Sequence, residues 1–133
     1  MTHPYQSVTN GVEVSVAPRF LEDQSDPLEG RYMWSYAIEI VNNGPETVQL
    51  EARHWTITDA NGLQQFIDGN GVLGEQPVLN PGDSYSYMSG CPLVTPDGVM
   101  VGAYTMRTPG GDEFLADIPA FSLDSPYTRR VLN

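Results

Sequence analysis

The fold is decided by the stretch Tyr32-Met33-Trp34-Ser35-Tyr36-Ala37-Ile38-Glu39-Ile40-Val41-Asn42. Successive side chains of an extended strand point to opposite faces, so every second residue shares a face. One face here carries only large aromatic or branched residues, which are Tyr32, Trp34, Tyr36, Ile38 and Ile40. A face of this kind must lie against a core. The stretch therefore predicts a long strand that is buried on one side.

The rest of the chain repeats this pattern in shorter pieces. Thirteen glycines and eleven prolines separate the apolar stretches, and none of these has the spacing of an amphipathic helix. Further strands are predicted at residues 11–17, 48–59, 63–67, 84–89, 99–107, 113–118 and 121–123. The prediction is an all-β fold, an immunoglobulin-like or fibronectin type III-like β-sandwich of seven to eight antiparallel strands. Residues 1–133 form a single domain with an ordered core at about 8–125 and flexible ends.

Three local features refine this prediction. The turn residues 42–45 predict a hairpin into the next strand, and the Asn61-Gly62 pair predicts a second one. In the strand at residues 48–59 the alternation slips, which predicts a β-bulge near Arg53-His54. Tyr85 follows a Pro-Gly turn and resembles the tyrosine corner that links the two sheets of fibronectin-type sandwiches.

The charge balance restricts the partners. Seventeen acidic residues stand against six basic ones, all arginine, and the formal net charge is −11. Nucleic-acid and anionic-membrane binding both require a basic face, so neither is expected. No apolar run reaches the roughly 20 residues that span a bilayer, and the first residues do not resemble a secretory signal. With a single cysteine, Cys91, the sequence predicts a cytoplasmic protein without disulfides.

The sharpest chemical hint is the stretch Gly69-Asn70-Gly71-Val72-Leu73-Gly74, which has the G-x-G-x-x-G spacing of pyrophosphate-binding loops. The candidate anion site consists of Gly69, Gly71, Gly74, Arg53 and His54. However, Glu75-Gln76-Pro77 follows the loop where a helix is expected, and Asp68 and Glu75 place negative charge on both sides. The alternative is a glycine-rich connection between strands, with Arg53 in a salt bridge and His54 a packed or hydrogen-bonded residue.

Catalysis is not expected, because the sequence contains no recognisable Ser-His-Asp, Cys-His, paired-histidine or glycine-to-lysine pattern. The acidic stretch at residues 21–30 does not match a calcium loop and predicts a solvated loop. No cofactor is predicted. Weak Co²⁺ or Mg²⁺ binding by acidic loops stays open as an alternative.

Four segments together resemble the ApaG family, also called the DUF525 domain, and the resemblance covers nearly the whole chain. The segments are residues 53–59, 69–77, 81–90 and 118–121. Within residues 81–90 the matching positions are Pro81-Gly82, Tyr85-Ser86-Tyr87 and Ser89-Gly90. The resemblance implies the same sandwich. It also implies an association with cobalt and magnesium efflux, as in bacterial members, and an interaction module, as in the eukaryotic F-box and polymerase delta-interacting proteins. The family usually ends in Leu-His, whereas this chain ends Leu132-Asn133. The predicted function is thus a non-enzymatic module that binds a protein partner, as a monomer or homodimer. Pyrophosphate or nucleotide binding by the glycine loop and direct divalent-cation binding are the alternatives.

Overall fold

A computed structural model describes residues 5–128. The predicted flexible ends are residues 1–7 and 126–133, of which residues 1–4 and 129–133 lie outside the described residues. Residues 5–7 are part of the first strand. No helix in residues 5–128 has the length and hydropathy needed to cross a membrane.

Residues 5–128 form nine strands: β1 (Tyr5–Thr9), β2 (Val12–Phe20), β3 (Tyr32–Asn42), β4 (Val48–Asp59), β5 (Gln64–Asn70), β6 (Val78–Leu79), β7 (Ser84–Leu93), β8 (Gly98–Arg107) and β9 (Glu113–Leu123). Single 3₁₀ turns lie at Glu22–Gln24 and Pro27–Glu29.

The strands form two antiparallel sheets that pack face to face. The first sheet has the order β1-β2-β3-β7, and the second has the order β5-β4-β8-β9, with the two-residue β6 joined to the start of β4. In the second sheet β4, β8 and β9 hold the positions of strands C, F and G of an immunoglobulin sandwich. The all-β sandwich prediction is therefore confirmed, with β1 and β6 as strands that the sequence prediction did not include.

The missed strand β1 forms a hairpin with β2, in which Tyr5 pairs with Val16 and Thr9 with Val12. The turn between them is Asn10-Gly11, and both residues have positive φ, at 49° and 81°. Asn-Gly at the centre of a two-residue hairpin is a strong sequence signal for a type I′ turn. This signal lies in the sequence and would have predicted β1.

The hairpin predicted between β3 and β4 is wrong. β3 pairs with β2 and β7, and residues 43–47 lead across the core into the second sheet. The side chain of Asn42 holds this crossover, since its Nδ2 donates to the carbonyls of Glu46 (2.8 Å) and Leu79 (2.9 Å) and its Oδ1 accepts from the Gly44 amide (3.0 Å). Turn residues predict that a chain reverses, but not in which sheet it continues. The β4–β5 hairpin at Asn61-Gly62 is confirmed.

The predicted bulge exists, but it lies at Glu51, where the register of β4 against β8 shifts between Leu50 and Ala52. The prediction placed it two residues later because Ala52 was counted as a core residue. Alanine is small enough to lie on either face, so it does not indicate the phase of a strand. Beyond the bulge Arg53, Trp55 and Ile57 all face the first sheet.

The core lies between β3 on one side and β4, β8 and β9 on the other. Trp55 packs edge-on against Tyr36 and Phe121, with ring centroids 5.4 Å and 5.9 Å apart. One side of the sandwich is closed, because the hydroxyls of Ser7 and Thr9 in β1 bond to the backbone of Asp117 in β9. The opposite side is formed by the edge strands β7 and β5, and the glycine loop that follows β5 lies there.

Candidate functional site

The glycine loop is a tight hairpin. Val72 and Glu75 exchange two backbone hydrogen bonds of 2.8 Å and 2.9 Å, and the two residues between them have positive φ, 48° at Leu73 and 79° at Gly74. These are the features of a two-residue type I′ turn. Val72 itself is only 1% exposed and anchors the hairpin in the core.

Each glycine of the motif has a structural reason to be glycine. A Cβ on Gly69 would lie 2.7 Å from Nη2 of Arg53, and a Cβ on Gly71 would lie 2.1 Å from the carbonyl oxygen of Glu75. Gly74 meets no such obstacle, but its φ of 79° is one that other residues rarely adopt. The glycine spacing that resembles a phosphate-binding loop is therefore also the spacing that this hairpin and its contact with Arg53 require.

The backbone amides of the loop are largely used within the protein. Gly71 donates to the carbonyl of Glu51 at 2.7 Å, while the amides of Val72 and Glu75 close the hairpin. A phosphate cradle requires several free amides that converge on one point. The predicted anion site remains a prediction, and the group in this region that carries free donors is the side chain of Arg53.

Arg53 lies on the inner face of β4, opposite Gly69 of β5 and Tyr104 of β8. Its Nη1 donates to the carbonyl oxygens of Asn70 (3.1 Å) and Gly71 (2.7 Å). Among residues 5–128 no carboxylate oxygen lies within salt-bridge distance of its guanidinium. The bulge at Glu51 is what turns Arg53 inward, because without the extra residue it would face solvent.

A cleft of about 240 Å³ opens beside Arg53. It reaches from the two edge strands down to Tyr36 and Trp55 of the core, and it is closed on one side by the glycine hairpin. Its lining residues come from four strands and the hairpin: Tyr36, Arg53, Trp55, Asn70, Val72, Leu73, Gly74, Tyr87 and Ser89.

Three tyrosines surround the guanidinium. Tyr87 and Tyr104 share a short hydrogen bond between their hydroxyls, and the ring of Tyr36 forms part of the cleft wall. Burial raises the pKa of all three phenols, most strongly for Tyr87 and Tyr104, while the charge of Arg53 acts in the opposite direction. The hydroxyls are thus protonated near neutral pH and close enough to Arg53 to interact with its charge.

The sequence prediction missed these tyrosines as site residues. Alternation along β3, β7 and β8 does place Tyr36, Tyr87 and Tyr104 on inward faces. Alternation does not predict which strands are neighbours in a sheet or how the two sheets pack. Only that arrangement brings the three rings to Arg53.

His54 does not belong to this cleft. As the neighbour of Arg53 in a strand it points to the outer face of the second sheet, where Nδ1 lies 2.8 Å from Oδ1 of Asp68 and Nε2 lies 2.8 Å from Oγ1 of Thr105. A carboxylate only accepts hydrogen bonds, so Nδ1 donates to Asp68, and in the neutral ring Nε2 accepts from Thr105. The structure therefore brings Arg53, Gly69, Gly71 and Gly74 together and separates His54 from them.

The two acidic residues that flank the loop are both hydrogen-bonded. Asp68 is turned to the outer face by its contact with His54, so its charge is directed away from the cleft. Glu75 accepts a hydrogen bond of 2.8 Å from the hydroxyl of Tyr85. This contact corrects the tyrosine-corner prediction, because Tyr85 bonds to a side chain of the loop rather than back to the main chain.

The acidic stretch at residues 21–30 forms the two 3₁₀ turns and is tied by an exposed ion pair of 3.4 Å between Arg31 and Asp26. Within residues 5–128 no group of three or more histidine, cysteine, aspartate or glutamate side chains is arranged to hold a metal ion.

Comparison with known proteins identifies the family. The ApaG domain model (DUF525) matches residues 22–108. The ApaG proteins of Methylorubrum populi and Brucella anthropi are 59% and 61% identical over 129 residues, which cover 97% of this chain and 99% of each relative. The crystal structure of a Bordetella pertussis protein named ApaA matches with a TM-score of 0.84 at 40% identity, over 96% of this chain and 100% of that one. The family resemblance is therefore confirmed, and the chain belongs to the ApaG domain family.

Proposed function

We propose that this ApaG-domain protein is a cytoplasmic, non-enzymatic binding module that acts through contact with a protein partner. The observation that carries the proposal is an exposed apolar patch on the outer face of the second sheet. Three large apolar side chains there are between 41% and 70% exposed: Phe66, Val99 and Val101. Contiguous apolar surface on a folded domain is a common mark of an interaction site.

The pairing of the strands makes the patch continuous. Phe66 of β5 lies opposite Thr56 of β4, which lies opposite Val101 of β8. Val99 follows on the same face of β8, beside Thr58. These apolar and threonine side chains form one continuous patch, which ends at the next row of the face, where His54 lies.

The border of the patch is acidic. Asp68 and Asp117 lie at the two ends of the row of residues beside it. Farther along the same face Arg107 is held between Glu51 (2.7 Å) and Glu113 (3.1 Å). This arrangement favours a partner whose own apolar surface is bordered by lysine or arginine. A second copy of this chain fits less well, because two molecules of net charge −11 repel each other.

The absence of catalysis is part of the proposal and is supported by the state of His54. Both ring nitrogens are engaged by cross-strand neighbours on an exposed sheet face. A general base must reach the proton of a bound substrate. In His54 both ring nitrogens already have a hydrogen-bond partner within the protein, Asp68 and Thr105.

The family resemblance suggests a link with cobalt and magnesium efflux, which we propose to be accessory. Because residues 5–128 contain no metal-holding cluster, the link would run through the partner rather than through a cation bound by this chain. A cobalt-sensitive strain that lacks the protein tests this step: the wild type should restore growth on Co²⁺, whereas Val101→Glu should not.

The partner contact is tested by affinity capture with two matched variants. Val101→Glu places a charge at the centre of the patch, whereas Met88→Glu places one on the outer face of the first sheet, where Met88 is 62% exposed. A specific partner should be retained by the wild type and by Met88→Glu, lost by Val101→Glu, and weakened by salt.

Two results would count against the proposal. One is capture of the same proteins by all three forms at equal yield. The other is a homodimer in sedimentation that Val101→Glu dissociates, because the patch would then be occupied by a second copy of the chain.

A further inference from the structure

We infer that the cleft between β5, β7 and the glycine hairpin binds a single oxyanion group, a carboxylate or a phosphoryl group, through the Nε–Nη2 edge of Arg53 and the hydroxyl of Tyr87. This inference goes beyond the protein contact proposed above, since it concerns the opposite face of the second sheet.

Arg53 has two donor atoms that no residue of the described chain uses. Nη1 has two hydrogens, and both are donated to the carbonyls of Asn70 and Gly71. Within residues 5–128 neither Nε nor Nη2 has an acceptor at hydrogen-bond distance. These two atoms form one edge of the planar guanidinium, and that edge matches the two oxygens of a carboxylate or phosphoryl group.

The hydroxyl of Tyr87 supplies a second donor beside Arg53. Tyr104 is fully buried, and the only partner of its hydroxyl among the described residues is the hydroxyl of Tyr87. A buried donor is almost always satisfied, so Tyr104 donates to Tyr87. The proton of Tyr87 is then free to be donated within the cleft that this residue lines.

The cleft carries a positive charge. Its lining includes one guanidinium and no carboxylate. Asp68 points to the other face of the sheet, and Glu75 is held by Tyr85 outside the lining. A positive charge in a partly buried site, surrounded by neutral donors, selects for an anion even on an acidic protein.

The volume of the cleft limits the size of the ligand. Pockets that enclose drug-sized ligands are commonly about 300–1,000 Å³, whereas this cleft is about 240 Å³. It accepts one charged group and a small substituent that lies against the rings of Tyr36 and Trp55. A whole dinucleotide does not fit, so the ligand is a small free anion or a larger molecule that inserts only its acidic end.

The test is a titration of the isotope-labelled protein with inorganic phosphate and, separately, with acetate, against sodium chloride of equal ionic strength. We expect the Nε–Hε resonance of Arg53, and the backbone amide resonances of the cleft residues, which every variant retains, to shift with a saturable, millimolar dependence. Arg53→Gln should weaken binding about tenfold or more and Tyr87→Phe about fivefold, because each removes charge-assisted hydrogen bonds. Arg107→Gln, which removes an exposed arginine from the other face, is the control and should bind as the wild type does.

The comparison of phosphate with acetate distinguishes the two ligand chemistries, and either preference supports the site. Shifts confined to the amides of Leu73 and Gly74 would overturn the proposal in favour of the loop, and so would the absence of saturation by either anion. An equal loss in Arg107→Gln would indicate unspecific screening instead. Melting temperatures report whether Arg53→Gln folds; if it does not, Tyr87→Phe alone decides the outcome.

Discussion

The guanidinium of Arg53 lies directly against the Cα of Gly69, its cross-strand neighbour, at a distance where no side chain would fit between them. The glycine makes the space, and the arginine uses it to reach the carbonyl of Gly71. Two residues that are 16 positions apart thus depend on each other's identity, and this dependence explains why the first glycine of the motif is needed although its backbone is an ordinary strand.

The first prediction tests this dependence with Gly69→Ala. The new methyl group would meet only the end of a flexible side chain, so we expect the free energy of unfolding to change by less than about 1 kcal/mol. The guanidinium should nevertheless be displaced, which the Nε–Hε resonance of Arg53 would report together with weaker phosphate binding. Gly110→Ala, where an added Cβ meets nothing within 4 Å, should change neither quantity. An unmoved Arg53 resonance in Gly69→Ala would contradict the close contact between Arg53 and Gly69.

The second prediction concerns the other two glycines. In Gly71→Ala a methyl group would lie 2.1 Å from the backbone oxygen of Glu75 in a residue with φ of 59°, so we expect a loss of about 3 kcal/mol or more. In Gly74→Ala only the left-handed backbone is unfavourable, which costs about 1–2 kcal/mol. Urea denaturation of both variants measures the difference between their free energies of unfolding. This difference is the cost of the clash with the oxygen of Glu75, because both variants share the unfavourable backbone conformation. Equal losses would mean that the hairpin shifts to accept the methyl group.

The third prediction concerns the crossover between the sheets. Asn42 is 1% exposed and bonds to three backbone groups, so Asn42→Ala would leave buried carbonyls without a donor. We expect a loss of about 2–4 kcal/mol in the free energy of unfolding. Asn43→Ala changes an exposed neighbour and should stay within about 0.5 kcal/mol. If the two variants are equally stable, solvent must replace the contacts of Asn42.

These residues also show how far the sequence leads. The period-two pattern of β3 predicts its bounds, Tyr32 to Asn42, as they are found, because a strand with one aromatic face has no other place than the core. The central position of β8 follows in the same way from its two apolar faces. Periodicity does not predict sheet membership, and the direction of the chain after Asn42 depends on contacts with Leu79, which lies 37 residues away.

The site was less predictable than the fold. The sequence joins Arg53 to the glycine loop correctly, through the bulge in β4. It also joins His54, although adjacent residues of a strand face opposite sides and only one of the two can enter the cleft. The tyrosines of the cleft carry no local motif, because their role arises from three strands that meet across the sandwich.

The last prediction follows from Cys91, which is 2% exposed in β7 and pairs in register with Trp34 of β3. Burial disfavours the thiolate and raises the pKa of the Cys91 thiol to about 11, from an ordinary value of 9.0. Below pH 9 the thiol is protonated in both the folded and the unfolded chain, so it adds no pH dependence there. Between pH 9 and 11 the unfolded chain releases this proton and the folded chain retains it, so stability must fall as the pH rises.

Urea denaturation at pH 8.0 and 10.5 therefore separates the wild type from Cys91→Ala. The wild type should lose about 2 kcal/mol more between the two pH values than the variant does, since each unit of pKa difference corresponds to about 1.4 kcal/mol. The buried tyrosines also oppose ionisation in this range, but they are present in both proteins and cancel in the comparison. If the stability of the two proteins declines in parallel, the thiolate of Cys91 must reach solvent in the folded state. The packing of Cys91 beside Trp34 would then be looser than its 2% exposure indicates.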